Sequence, residues 1–331
     1  MEYATIKGTD IKSSRVGLGA WAIGGWLWGG SEERESIDTI HAALDHGINL
    51  IDTAAIYGFG RSEEIVGKAV EEYGGRDKIV IATKAGLDWT TGNVFRNSER
   101  ARIRKEVEDS LKRLRTDYID IYQIHWPDYE TPIEEAALAM QELHKEGKIR
   151  AIGVSNYTGE QKDVFRKNSP LHTSQPPYNL FERGIEDDIM PYCNEHGITM
   201  LLYGAICRGL LSGRMAPNTK FEGDDIRKID PKFKQPRFGQ YLSAVEKLDE
   251  FVRENYGKRV IHLAMRWVLD KAEGHIALWG ARRPSQLEPI DQMFGWKLDK
   301  DALTQIDNIL AETVKDPVGP EFMAPPLSGR K

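Results

Sequence analysis

A chain of 331 residues, 40% of them hydrophobic, can bury a large core, and its length suits either one α/β barrel or two medium domains. Its 45 Lys+Arg against 51 Asp+Glu leave a formal charge of −6, which excludes a basic surface able to hold nucleic acid as the main partner. Cys193 and Cys207 have neither metal-ligand spacing nor a disulfide framework, no apolar stretch is long enough to span a membrane, and the opening MEYATIKGTD lacks a signal-peptide core, so a cytoplasmic protein is expected.

Short apolar runs alternate with amphipathic segments along the chain. The first run, Arg15 to Gly19, is followed by the tryptophan loop AWAIGGWLWGG, which carries Trp21, Trp26 and Trp28 and reads either as a hydrophobic plug or as a pocket wall. A helix over Glu33 to His46 places Ile37, Ile40, His41 and Leu44 on one stripe. The second run, Ile48 to Asp52, leads through Tyr57 and two glycines to a helix over Ser62 to Tyr73, with Ser62 expected as its N-cap. Lys78 to Thr83 is the third run and ends at Lys84; a helix over Glu99 to Leu114 precedes the fourth, Tyr118 to Ile124, which ends at His125. A helix over Ile133 to His144 stops at Gly147 and leads to the fifth run, Ile149 to Val154, ending at Ser155 and Asn156. Leu171 to Gln175, Ile198 to Leu202 (ending in Tyr203) and His275 to Trp279 are the sixth to eighth runs, the last preceded by a helix over Val260 to Lys271.

Eight runs alternating with helices predict a single closed parallel (β/α)8 barrel, a TIM barrel, rather than an open doubly wound sheet, and such barrels carry their active site at the C-terminal face of the strands. Asp52, Lys84, His125, Asn156, Gln175, Tyr203 and Arg282 each stand at or just beyond the end of a different run. Taken singly, each has an ordinary explanation as a cap, an ion pair, a solvated strand end or a core histidine. Taken together, a lysine buried beside Asp52 would keep its charge, and its proximity would lower the pKa of Tyr57.

The motifs DTAAIYGFGRSEEIVGKAV, Thr83-Lys84, IHWPD at Ile124 to Asp128, GVSNY at Gly153 to Tyr157 and Gln175 with PPYN after it resemble the aldo-keto reductase family from about Val16 to the end of the eighth unit. Within it the chain is most similar to the bacterial group with WAIGGW near the start and GAR-x-P-x-QL near the end. The resemblance implies NADPH-dependent reduction of aldehydes or ketones, with NADH a weaker substitute. Tyr57 would be the proton donor, Asp52 and Lys84 its tuning pair, and His125 would orient the carbonyl. Ser155, Asn156 and Gln175 would hold the nicotinamide carboxamide and Tyr203 would stack on its ring. Gly204, Arg208, Gly209, Leu211, Gly280 and Gln286 would contribute to the rest of the cofactor site, with Arg282 and Arg283 on a ribose 2′-phosphate. Trp21, Trp26, Trp28 and Trp126 would line the substrate pocket. Two positions depart from the family pattern: Gly204-Ala205 where many relatives have Ser-Pro, and Pro289, near the start of a helix expected from Pro284, where an asparagine commonly meets adenine.

The polar segment from 204 to 238 is too long for an ordinary connection and reads as a cofactor-covering loop, with a mobile linker as the alternative. The barrel domain then spans 1–331 and ends in a tail from about 313 to 331. A monomer acting on a small carbonyl compound is expected. The alternative from another class is a cofactor-binding regulatory subunit similar to channel β-subunits, with slow turnover.

Overall fold

The computed structural model describes residues 1–327, so the last four residues of the expected tail lie outside it. A two-stranded antiparallel hairpin, β1 (Tyr3–Thr5) and β2 (Lys12–Ser14), opens the chain. The barrel follows: β3 (Val16–Gly19), α1 (Glu33–Asp45), β4 (Leu50–Asp52), α2 (Arg61–Tyr73) and β5 (Val80–Ala85). A second hairpin, β6 (Leu87–Asp88) with β7 (Phe95–Arg96), leads to α3 (Arg100–Leu114), β8 (Ile119–Ile124), α4 (Ile133–Lys145), β9 (Ile149–Ser155) and α5 (Gly159–Arg166). The last units are β10 (Thr173–Gln175), α6 (Ile189–Glu195), β11 (Thr199–Leu202), α7 (Arg237–Tyr256), α8 (Val260–Lys271), β12 (Ile276–Gly280) and α9 (Lys300–Thr313). Eight of these strands close into a parallel barrel in the order β3-β4-β5-β8-β9-β10-β11-β12, and β12 pairs back onto β3 through Ala277 with Val16 and Gly280 with Gly19. The expected (β/α)8 barrel is therefore present.

Alternation along the strands explains two separate cores. Leu50, Val80, Ala82, Ile121, Ala151, Leu201, Ile276 and Leu278 fill the barrel interior, with Ile6 and Ile11 of the first hairpin packed among them. The intervening residues, including Ile51, Ile81, Tyr122, Ile124, Ile152 and Leu202, face the helices in the larger outer core. A strand has a period of two. Continuing the inward set two residues at a time therefore leads from Leu50 to Asp52, from Ala82 to Lys84, from Ile121 to Gln123 and His125, from Ala151 to Gly153 and Ser155, and from Leu201 to Tyr203.

Several local expectations shift for identifiable reasons. Lys84 lies inside β5 rather than beyond it. Gly60, at φ 101, occupies the N-cap position of α2, while Ser62 is buried, accepts a 2.8 Å bond from Thr53 Oγ1 and donates to the Ala20 carbonyl at 2.9 Å. The helix expected from Pro284 is replaced by two short 3-10 turns, Pro284–Gln286 and Glu288–Gln292, because Pro289 has no amide to continue an α-helical ladder. Among the described residues no helix is long and apolar enough to cross a membrane, and Cys193 and Cys207 are buried free thiols.

Candidate active site

A cavity of about 500 Å³ opens at the carboxyl ends of the barrel strands. Its floor is a chain of hydrogen bonds. Lys84 Nζ, 1% exposed, donates to Asp52 Oδ1 at 2.7 Å and to the Thr53 carbonyl at 2.8 Å, and stands 3.5 Å from the Tyr57 hydroxyl. Gln175 Nε2 donates to the second Asp52 oxygen at 2.7 Å. The carboxylate is thus held from two strands that lie on different sides of the barrel, and the buried charge of Lys84 is matched. His125 completes the floor, its ring edge-on to Tyr57 with centroids 5.7 Å apart.

The titration behaviour of Tyr57 is the reverse of the sequence expectation. Burial, reinforced by the negative charge of Asp52, holds the phenol well above its usual range instead of lowering it. Burial outweighs the ammonium, which stands 3.5 Å from the hydroxyl and 2.7 Å from Asp52. Burial also lowers the Lys84 ammonium, against the pull of Asp52. The His125 imidazole is pushed well below its ordinary value by burial and then by Lys84, and is neutral at physiological pH.

Tyr57 is placed by backbone packing. An added Cβ at Gly24 in the tryptophan loop would stand 2.6 Å from the Tyr57 carbonyl carbon, and one at Gly58 would stand 2.2 Å from the Gly24 carbonyl oxygen. Only glycine permits this approach. It brings Trp21 over the phenol, with centroids 5.8 Å apart and planes 24° apart.

Ser155, Asn156, Gln175 and Tyr203 line the cavity beside this floor and are tied to one another. The Ser155 hydroxyl donates to the Gln175 carbonyl at 2.8 Å, Asn156 Nδ2 donates to the His125 carbonyl at 3.0 Å, and the Tyr203 hydroxyl donates to Asn156 Oδ1 at 3.0 Å. Asn156 adopts a left-handed φ of 61°, the kind of strained backbone that asparagine tolerates at a built site. The Gln175 amide is thus committed to Asp52, a role the sequence offers no signal for.

The other expected cofactor residues divide. Gly204, Arg208, Gly209, Gly280, Arg282 and Gln286 line the cavity, as does Pro289. Leu211 and Arg283 do not: Leu211 is fully buried in the outer core, and the exposed Arg283 reaches Glu35 on α1 at 3.4 Å. The Arg208 guanidinium is occupied by Glu182 and Asp230, each at 2.6 Å, and Lys232 meets the same Glu182 oxygen at 2.7 Å. This buried quartet of two cations and two carboxylates joins the loop after β10 to the long segment before α7. Arg227, which the sequence did not mark, stands in the cavity wall beside Arg282 and lies 5.3 Å from the centre of the Trp28 ring.

The long segment crosses the mouth. Asp224 accepts from the amides of Leu27 and Gly29 at 2.7 and 3.0 Å, and the Ile226 amide donates to the Leu27 carbonyl at 2.9 Å, so the segment is pinned to the tryptophan loop. Trp21, Trp26, Trp28 and Trp126 all line the cavity. Trp26 and Trp126 belong to one apolar cluster with Tyr57, Ile56, Leu87 and Val94. Trp28 stands apart from them: Arg282 donates to its carbonyl at 2.6 Å, and its indole N–H is buried with no hydrogen-bond partner among the described residues.

The cavity thus carries a polar floor, an aromatic wall and the arginines Arg227 and Arg282. The model of the Aldo/keto reductase family matches residues 15–311. The chain belongs to this family. It is 60% identical over 326 residues to "Aldo-keto reductase YhdN" of Bacillus subtilis (strain 168), covering 98% of each chain. It is 36% identical over 294 residues to an "NADH-specific methylglyoxal reductase" of Escherichia coli (strain K12), covering 84% of this chain and 89% of that one. The solved structure of the glycerol dehydrogenase AKR11B4 from Gluconobacter oxydans superposes with a TM-score of 0.88 at 54% identity, over 97% of this chain and 99% of that one. This aldo-keto reductase is accordingly an oxidoreductase of the carbonyl-reducing type.

Proposed function

We propose that this aldo-keto reductase reduces small aldehydes and ketones to alcohols with NADPH as its preferred reductant. The observation that carries the reading is the chain Gln175–Asp52–Lys84–Tyr57 at the floor of a cavity whose far end holds Arg282 and Arg227. The features that support a dinucleotide there are Tyr203 beside the floor, the open Trp28 donor in the wall, and the guanidinium groups of Arg282 and of Arg227, the latter paired with Asp225, which suit a 2′-phosphate. When bound, the nicotinamide supplies a hydride to the carbonyl carbon.

The chain's own residues handle the proton. Tyr57 stays protonated because its phenol is buried beside Asp52, so the proton is present when the carbonyl oxygen becomes basic. Lys84, 3.5 Å away, stabilises the phenolate left after transfer, and Asp52 with Gln175 keeps Lys84 in place. Neutral His125 orients the carbonyl oxygen through a ring nitrogen. Trp21 and Trp126 exclude water from the reacting end. Nothing in the fold or in the relatives named above favours the regulatory-subunit alternative.

The test is oxidation of NADPH and of NADH by the purified protein across a panel of aldehydes and ketones. Turnover with short aldehydes and a lower KM for NADPH than for NADH is expected. Failure to oxidise either cofactor with any carbonyl compound overturns the reading, and a preference for NADH overturns the assignment of the arginine end.

A further inference from the structure

The segment after α9 returns to the barrel mouth and places Met323 and Pro325 in the cavity wall. What holds it there is Arg96 at the end of the β6–β7 hairpin. Its amide donates to the Pro326 carbonyl at 3.3 Å and its Nε to the Pro325 carbonyl at 3.1 Å, while Nη1 donates to the Pro127 carbonyl at 2.9 Å. The guanidinium carbon lies 5.2 Å from the centre of the Trp126 ring and 5.7 Å from that of Tyr129. Arg96 is 6% exposed, and the negative charge of Asp128 acts on it from the Trp126 loop. It does not line the cavity, yet two of the groups it grips, Pro325 and Trp126, do.

We infer that Arg96 is a specificity-positioning residue: by clasping the C-terminal segment to the Trp126 loop it sets the width of the substrate end, favouring small uncharged carbonyl compounds over bulky ones. The inference rests on the reading of the site given above. The planar fork of a guanidinium can serve two carbonyls in fixed directions while its face lies against an indole. A lysine ammonium has no such fork. The substrate end itself is apolar: Ile56, Leu87, Val94 and Trp126 cluster with Tyr57, and Met323 and Pro325 close the wall. An apolar wall has no directional grip on a small molecule, so discrimination by size depends on how firmly the wall is held.

The experiment compares wild type, Arg96→Lys and Arg96→Met with NADPH, using propanal and 2-naphthaldehyde as the small and bulky substrates. Both variants should lose about tenfold in kcat/KM for propanal, mainly through KM, while kcat/KM for 2-naphthaldehyde holds or rises. NADPH affinity, read by fluorescence titration, should stay within about twofold because the arginine end is untouched. Should Arg96→Met fail to fold, Arg96→Lys, which keeps the charge, reads the same ratio. An unchanged propanal-to-naphthaldehyde ratio, or a parallel loss for both aldehydes and for NADPH binding, overturns the role of Arg96. A wild type that reduces neither aldehyde overturns the reading of the site as well.

Discussion

Tyr57→Phe removes one hydroxyl from the cavity floor and leaves almost everything else in place. The ring keeps its stacking on Trp21 at 5.8 Å and its edge contact with His125 at 5.7 Å. Among the described residues the hydroxyl's only hydrogen bond is the long 3.5 Å approach of Lys84, which has better partners at 2.7 and 2.8 Å. Loss of so weak a bond costs less than the roughly 1 kcal/mol of an ordinary one, so the melting temperature and the affinity for NADPH should hardly move. The rate is another matter. Without the phenol the developing alkoxide must take its proton from water or from His125, whose neutral imidazole is a poor acid. General-acid catalysis is worth about 10²- to 10⁴-fold, equivalent to roughly 3 to 5 kcal/mol of barrier. Single-turnover reduction of an aldehyde by pre-bound NADPH, followed by the loss of nicotinamide fluorescence, isolates this step. A variant that turns over within about threefold of the wild-type rate would refute the assignment of Tyr57 as the acid. A variant that no longer binds NADPH would show that the residue is structural.

The cofactor preference should follow the arginines in the cavity wall: Arg282→Ala and Arg227→Ala should each weaken NADPH by about tenfold or more while sparing NADH, whereas Arg283→Ala, directed toward Glu35, should change little, as read by KM for both cofactors. Glu182→Gln leaves Arg208 and Lys232 facing only Asp230 in a buried setting and should destabilise the fold by about 3–5 kcal/mol in urea unfolding; a loss under about 1 kcal/mol would mean the quartet is hydrated. Stability should fall as the pH drops below about 6.5. His125, His262 and His275 are all lowered in the folded state, the last two to about 4, so the unfolded chain binds protons first and the stability present above 6.5 is lost on acidification toward 4. His275 makes the cost concrete, since its Nδ1 accepts from the Met200 amide at 2.9 Å and cannot do so once protonated. His275→Gln should flatten part of that acid limb in thermal melts at stepped pH, and an unchanged profile would remove His275 from the account.

Strand periodicity made the barrel and the members of its floor legible in the chain itself. A run that alternates inward and outward carries its phase to its own end, so Asp52, Lys84 and Tyr203 had to face the interior once the apolar residues two positions before them did, and His125 once Ile121 did four positions before it. Motif spacing added the resemblance that tied these residues to carbonyl reduction. What lay beyond the reach of sequence are contacts between distant residues that no charge pairing announces. Gln175 holds Asp52 across 123 positions, and Arg96 meets Pro325 across 229. The reversal at Tyr57 is likewise tertiary: residue types announce a lysine near a phenol, but the burial that outweighs its charge 3.5 Å away comes only with the fold. Arg208 is claimed by the buried carboxylates of Glu182 and Asp230, while the path of the long segment brings Arg227, paired with Asp225, to the cavity wall, a part that no sequence motif assigned to it. Local pattern determines which way a side chain points from its strand; which partner waits there is decided only when the barrel closes and the loops cross its mouth.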